Sequence, residues 1–236
     1  MPVAAADHDT IVLALTQKAI NTHAAIRILA DAGHGDDAYA LCRVLLENTV
    51  LLTWLLHRDP VFRLDLFELS SKLTGNRVLN ALQEHGADMP EWLPVIERNR
   101  ELFRDATTLF GNSYRRWARR READGSESPM DIVQMFAELA RNRPDYAWDV
   151  EYMHASWYVH SEVASLVDIR RRAAPEKYFE LSVRAVPNLR HHALTSANVW
   201  MLVVLSAFDR YVGGELEGEI DRIGADMQAF PATPAS

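Results

Sequence analysis

The stretch AYALCRVLLENTVLLTWLL, residues 38–56, is apolar almost all the way round a helical projection, broken only by Arg43, Glu47 and Asn48 among its larger polar side chains. A helix without a polar face belongs at the centre of a bundle, where neighbours cover every side. Asp36 and Asp37 supply its cap, and it ends near His57, ahead of Asp59 and Pro60. The run is long enough to span a membrane, but Arg43, Glu47 and Asn48 argue against that, and residues 199–208 are too short. No membrane partner is expected.

Working outward from this helix, glycine and proline separate further apolar periodic stretches, and no strand-like alternation of any length is visible. A first helix is predicted from Asp9 or Thr10 to about Asp31, stopped by Gly33 and Gly35. Asp59-Pro60 opens a third, to about Gly75, followed by a short helix over 76–85 and another over 88–110, with Pro90 in its first turn. Residues 123–128 form the clearest internal loop. Ser128-Pro129-Met130-Asp131 restarts a helix to about Arg141, and Pro144-Asp145 starts one through Ile169. Pro187-Asn188 precedes a long helix to Val212, and residues 215–229 add an amphipathic tail helix. With no repeat and no linker between two cores, the expected fold is all-α. It is one bundle of roughly seven to nine helices over residues 1–229, with 230–236 as a flexible tail.

Composition narrows the functional classes. The chain has 236 residues, of which 48% are hydrophobic and 25% charged, the balance of a globular protein. A formal net charge of −8 argues against wholesale coating of nucleic acid, though a local basic patch is compatible with it. Cys42 is the only cysteine, which excludes an intrachain disulfide and a cysteine-based zinc site. The first residues lack a basic start and carry aspartates, so a signal peptide is not expected and the cytoplasm is the expected location. Walker loops, dinucleotide fingerprints, serine-hydrolase elbows and kinase signatures are absent from the sequence.

Function is therefore sought in polar residues that occupy apolar places. Arg43 and Glu47 are four apart on the central helix, so they share a face and can pair. That pair either fixes helix register or serves a ligand, and the arginine-first order is the weaker one for an isolated helix. In DYAWDVEYMHASWYVHSEVASL, residues 145–166, Tyr152, Ser156 and His160 recur every four residues and drift across only about 80° of one face. His160 is either a hydrogen-bonded core histidine or a working imidazole, the side chain most readily used as acid or base near neutral pH.

Glu151 and His154 form an E-x-x-H pair, the spacing of di-iron bundles, but those need a second such pair and the sequence has none. No metal and no cofactor are expected, a mononuclear site using His191 or His192 being the one residual option. Arg115, Arg116, Arg119, Arg120 and Arg121, interleaved with Tyr114 and Trp117, combine cation and aromatic as single-stranded nucleic-acid binders do. A solvated helix face explains the same run without a ligand.

In order along the chain, R-V-L-L-E at Arg43–Glu47, Trp117, and Y-x-x-x-S-x-x-x-H at Tyr152, Ser156 and His160 resemble a bacterial family of helical proteins known only as a domain of unknown function. The likeness spans residues 24–167. More distantly, the chain is similar to HEPN ribonucleases, helical dimers of bacterial toxin–antitoxin and phage-defence systems, whose site is an arginine, a polar residue, three further residues and a histidine on one helix. Ser156 and His160 match the last two of these positions, while Ala155 stands where the arginine belongs. The resemblance implies a homodimer that acts on RNA without a metal, with His160 as acid/base, Arg43 at the phosphate, Glu47 orienting it, and Ser156 and Tyr152 as hydrogen-bonding groups. The alternative is a non-catalytic interaction or sensor module, with a protein partner, whose polar cluster is structural.

Overall fold

The computed structural model describes residues 5–68, 70, 81, 84–86, 119–121, 127–141, 148–159 and 187–229. These form helices α1 (Ala5–Asp31), α2 (Gly35–His57), α3 (60–68), α4 (Ile132–Ala140), α5 (Trp148–Val159), α6 (Pro187–Val212) and α7 (Glu217–Ala229). The fold is all-α, and among the described residues one antiparallel ribbon accompanies the helices, β1 (Arg119–Arg121) with β2 (Glu127–Pro129), in which Arg120 pairs with Ser128. Two compact units divide the residues: Met1–Ile11 with His57–Gln134, and Val12–Leu56 with Met135–Ser236.

Helix ends follow local chemistry. α1 stops because Gly33, at φ +89°, takes the left-handed conformation that a side chain would strain. The Gly33 amide then donates to Ala30 O at 3.2 Å and the His34 amide to Leu29 O at 2.8 Å, which satisfies carbonyls left over by the last turn. Gly35, expected as a second stop signal, is instead the buried first residue of α2, and Asp36 and Asp37 lie in its first turn, facing the positive end of the helix dipole. α4 starts later than its Ser128-Pro129 signal suggested, because those residues belong to β2. Its true start is a reciprocal cap: the Gln134 amide donates to Asp131 Oδ1 and the Asp131 amide to Gln134 Oε1, both at 2.8 Å. Arg119–Arg121 correspondingly form a strand rather than the helical face read from the sequence.

In the second unit the core gathers around α2. Tyr39, Leu45, Leu46, Leu52, Trp54 and Leu55 are buried to within 1% of complete, each side chain contributing about 1.5–3 kcal/mol by leaving water. Val12, Ala19, Ile26 and Ala30 of α1 and Ala193, Ala197 and Val204 of α6 are buried as well, at helical spacing. Among the described residues α2 is long and apolar enough to cross a membrane, by length and composition, and 56% of its most apolar window is buried inside the protein, as in a core helix. In the first unit, Leu64 and Leu66 of α3 and Met130 are buried, and His8 Nε2 meets Asp65 Oδ1 at 2.8 Å.

Candidate functional site

α2 and α5 carry a cluster of polar side chains within the second unit. Tyr39, Arg43 and Glu47 follow one another at four-residue steps and so drift across about 80° of α2. Arg43 Nε donates to Glu47 Oε1 at 2.9 Å. A second arm of the same guanidinium, Nη2, donates to the Tyr152 hydroxyl on α5 at 3.0 Å, with Cζ 4.9 Å from the centre of the tyrosine ring. Phe136 of α4 backs that ring at 5.3 Å between centroids and 59° between planes, a tilted aromatic pair. The Arg43 side chain is 17% exposed and Glu47 40%, so the cluster is walled by helices on one side and open to water at the carboxylate.

These contacts set the protonation of the cluster. Burial pulls the Arg43 guanidinium down, but its hydrogen bond to Glu47 and the neighbouring tyrosine and carboxylate outweigh that and hold it above its ordinary value. Burial pushes the Tyr152 phenol up and the Glu47 charge pushes it further, against the opposing charge and hydrogen bond of Arg43. Arg43 is therefore a fixed cation and Tyr152 a neutral phenol throughout the physiological range. A helical Arg–Glu pair with a half-exposed carboxylate contributes at most about 1 kcal/mol to stability. Stability alone is a weak reason to set such a pair in the core helix of the second unit.

Not every residue of the sequence-derived site joins the cluster. Ser156 Oγ turns back on its own helix, donating to Tyr152 O at 2.6 Å. Ala155 is completely buried. His160, Arg115 and Arg116 lie outside the described residues, and Arg119 and Arg120 are placed as backbone of β1.

The fold adds partners that the sequence did not disclose. Glu151, half-buried on α5, accepts from the Tyr39 hydroxyl of α2 at 3.2 Å and from the Ser196 hydroxyl of α6, both on Oε1. Between Tyr39 and Arg43 on α2 lies Cys42, whose thiol donates to Ala193 O of α6 at 3.3 Å. Burial first, and the Glu151 charge second, push that thiol far up, so Cys42 stays protonated and unreactive. Glu151 is thus engaged with two hydroxyls, and among the described residues no three His, Cys, Asp or Glu side chains gather as a metal site needs. A tyrosine in an apolar helix reads as core filling, which is why Tyr39 gave no signal. Glu151 was visible only as half of an E-x-x-H pair.

Residues 9–174 match the model of a family of unknown function, DUF5677, over more than two thirds of the chain, and the chain belongs to that family. Arg43, Glu47, Glu151, Tyr152 and Ser156 fall inside the matched segment and Ser196 outside it. No curated protein and no solved structure matches the chain.

Proposed function

We propose, from the premise that membership of this family assigns no activity, that the chain is a HEPN-like, RNA-directed effector of a bacterial defence or toxin module, working in the cytoplasm as a homodimer. The observation that carries this reading is the Arg43 guanidinium, gripped by Glu47 and Tyr152 at the open edge of an otherwise apolar helix. An arginine held on two sides keeps its planar fork oriented, which suits it to a phosphate. The sequence likeness at Ser156 and His160 supports the same reading.

In this mechanism His160 takes the proton from an RNA 2′-hydroxyl, and the 2′-oxygen attacks the adjacent phosphorus. The bond from phosphorus to the 5′-oxygen breaks, the leaving 5′-oxygen takes up a proton from water, and a 2′,3′-cyclic phosphate remains. Arg43 stabilises the charge that develops on the phosphate oxygens, and needs no metal to do so. Tyr152 and Ser156 supply hydrogen bonds, and Arg115, Arg116, Arg119 and Arg120 hold the RNA backbone electrostatically.

One observation favours the rival reading of a non-catalytic interaction or sensor module. Ser156 is engaged with its own helix and Arg43 with its neighbours, so the described part of the cluster is self-satisfied as a structural network is. Incubating purified protein with RNA, with and without chelator, separates the two. Cleavage that survives chelation and disappears in both His160→Ala and His160→Gln supports the effector, because glutamine keeps a hydrogen bond but moves no proton near pH 7. Full activity in the glutamine variant, or no cleavage and no growth inhibition by the wild type, leaves the interaction module.

A further inference from the structure

We infer that Glu151 is a positioning residue: through Tyr39 it holds α5 against α2 so that Tyr152 meets Arg43, while its separate bond to Ser196 ties α5 to α6. The inference rests on the reading above for its link to RNA, but its geometry stands alone. Tyr39 sits one helical turn before Arg43 on α2, and Glu151 immediately precedes Tyr152 on α5. The two cross-helix bonds, Tyr39 to Glu151 at 3.2 Å and Arg43 to Tyr152 at 3.0 Å, are therefore consecutive rungs between the same pair of helices. A slip of α5 by one residue turns its side chains by about 100° and breaks both rungs. At the first rung Tyr39 is 1% exposed and Glu151 half-buried, whereas the second opens toward water through Glu47. An enclosed hydrogen bond to a carboxylate resists loss more than an exposed one, because the alternative is an unsatisfied buried group.

The carboxylate does this with a single oxygen. Both hydroxyls converge on Oε1, one from α2 and one from α6, so Glu151 ties three helices at one point. Ser196 lies outside the segment that matches the family, so the α6 bond joins that segment to the C-terminal part of the chain.

The test uses the full-length protein labelled with ¹³C at tyrosine Cζ, with the Tyr152 signal assigned by its loss in Tyr152→Phe. Tyr39→Phe removes one hydroxyl and keeps the ring. It should move the Tyr152 Cζ shift and bring its alkaline midpoint down toward that of an ordinary tyrosine, and lower RNA cleavage about tenfold. Glu151→Ala should do the same and Glu151→Gln, which still accepts from both hydroxyls, should restore the wild-type shift. Ser196→Ala, cutting only the α6 link, should lower the melting temperature and leave the Tyr152 signal in place. A Tyr152 signal unmoved in Tyr39→Phe overturns the inference, as does one moved equally by Ser196→Ala. Because Tyr39→Phe retains the packing volume, it reads the result even if Glu151→Ala does not fold. If wild-type protein cleaves no RNA while the Tyr152 shift still responds, the RNA reading has failed and the positioning role stands.

Discussion

The two halves of α2 handle polar groups in opposite ways. In the second half, Asn48 donates to Leu15 O at 2.8 Å, Thr49 to Leu45 O at 2.7 Å, and Trp54 Nε1 to Glu138 Oε2 at 3.2 Å, with all four of Asn48, Thr49, Trp54 and Glu138 at most 6% exposed. In the first half, Arg43 and Glu47 carry full charges yet reach water. An enclosed polar group that loses its partner has no water to turn to, at a cost of about 1–3 kcal/mol. A charge at the open edge is rehydrated instead, so its pairing contributes little to stability. The second half is therefore built to hold the fold, whereas the first half keeps a charged group oriented at little benefit to the fold, which is the arrangement a ligand-facing residue needs.

Substituting within each half tests whether this contrast is real. The largest effect is expected from Arg43→Lys, which keeps the charge but loses the planar fork that reaches both Glu47 and Tyr152. RNA cleavage should fall by about 10²-fold or more, in line with the loss of one oriented donor to a developing oxyanion. Urea unfolding should move by less than about 1 kcal/mol. An Arg43→Lys protein that is strongly destabilised would make both halves of α2 structural.

Trp54→Phe probes the other half. It removes one donor to the Glu138 carboxylate while keeping an aromatic ring in the core, and should destabilise by about 1–3 kcal/mol in urea titration. Whatever activity the protein has should persist in the fraction that remains folded. If Trp54→Phe instead abolishes activity without changing stability, the division between a structural and a ligand-facing half is wrong.

Much of the architecture was legible because the signals that set it are local. Gly33, Pro187 and the Asp36-Asp37 pair act on their own turn of chain, and the ends of α1, α2, α6 and α7 accordingly fall within a few residues of their expected places. The ribbon was not legible, since strands of three residues are too short to show an alternating pattern and arginine gives no strand signal. For the site, misfit polarity singled out Arg43, Glu47, Ser156 and His160 as groups that need partners; Arg43 pairs with Glu47, Ser156 bonds its own helix, and His160 lies outside the described residues. The same rule applied to α4 points to Glu138, which stands in the run MFAEL. It could not find Tyr39 or Ser196, because a tyrosine and a serine cause no conflict in a buried helix, and their role emerges only once α5 and α6 are beside α2.

The smallest predicted effect concerns Cys42, which sits in the first half of α2, next to Arg43. Its thiol is held far above the usual range by burial and by the Glu151 charge, so it remains protonated in the folded chain. In the unfolded chain a thiol ionises at about pH 8.5. Above that pH the unfolded state binds fewer protons than the folded state, so stability falls as pH rises. The contribution is complete below about pH 8.5 and declines above it, with a slope of at most about 1.4 kcal/mol per pH unit from this one group. Cys42→Ala removes the titrating group and replaces its weak hydrogen bonds to Ala38 O and Ala193 O with a methyl that packs in the same place. The variant should start from a somewhat lower stability at pH 7, and its urea midpoint should then fall less steeply than that of the wild type between about pH 8.5 and 10. The tyrosines are common to both proteins, so their ionisation, centred at about pH 10 in the unfolded chain, cancels in the comparison. Parallel pH profiles for the two proteins would mean that the thiol ionises in the folded state, and hence that Cys42 is not enclosed beside Ala193 of α6.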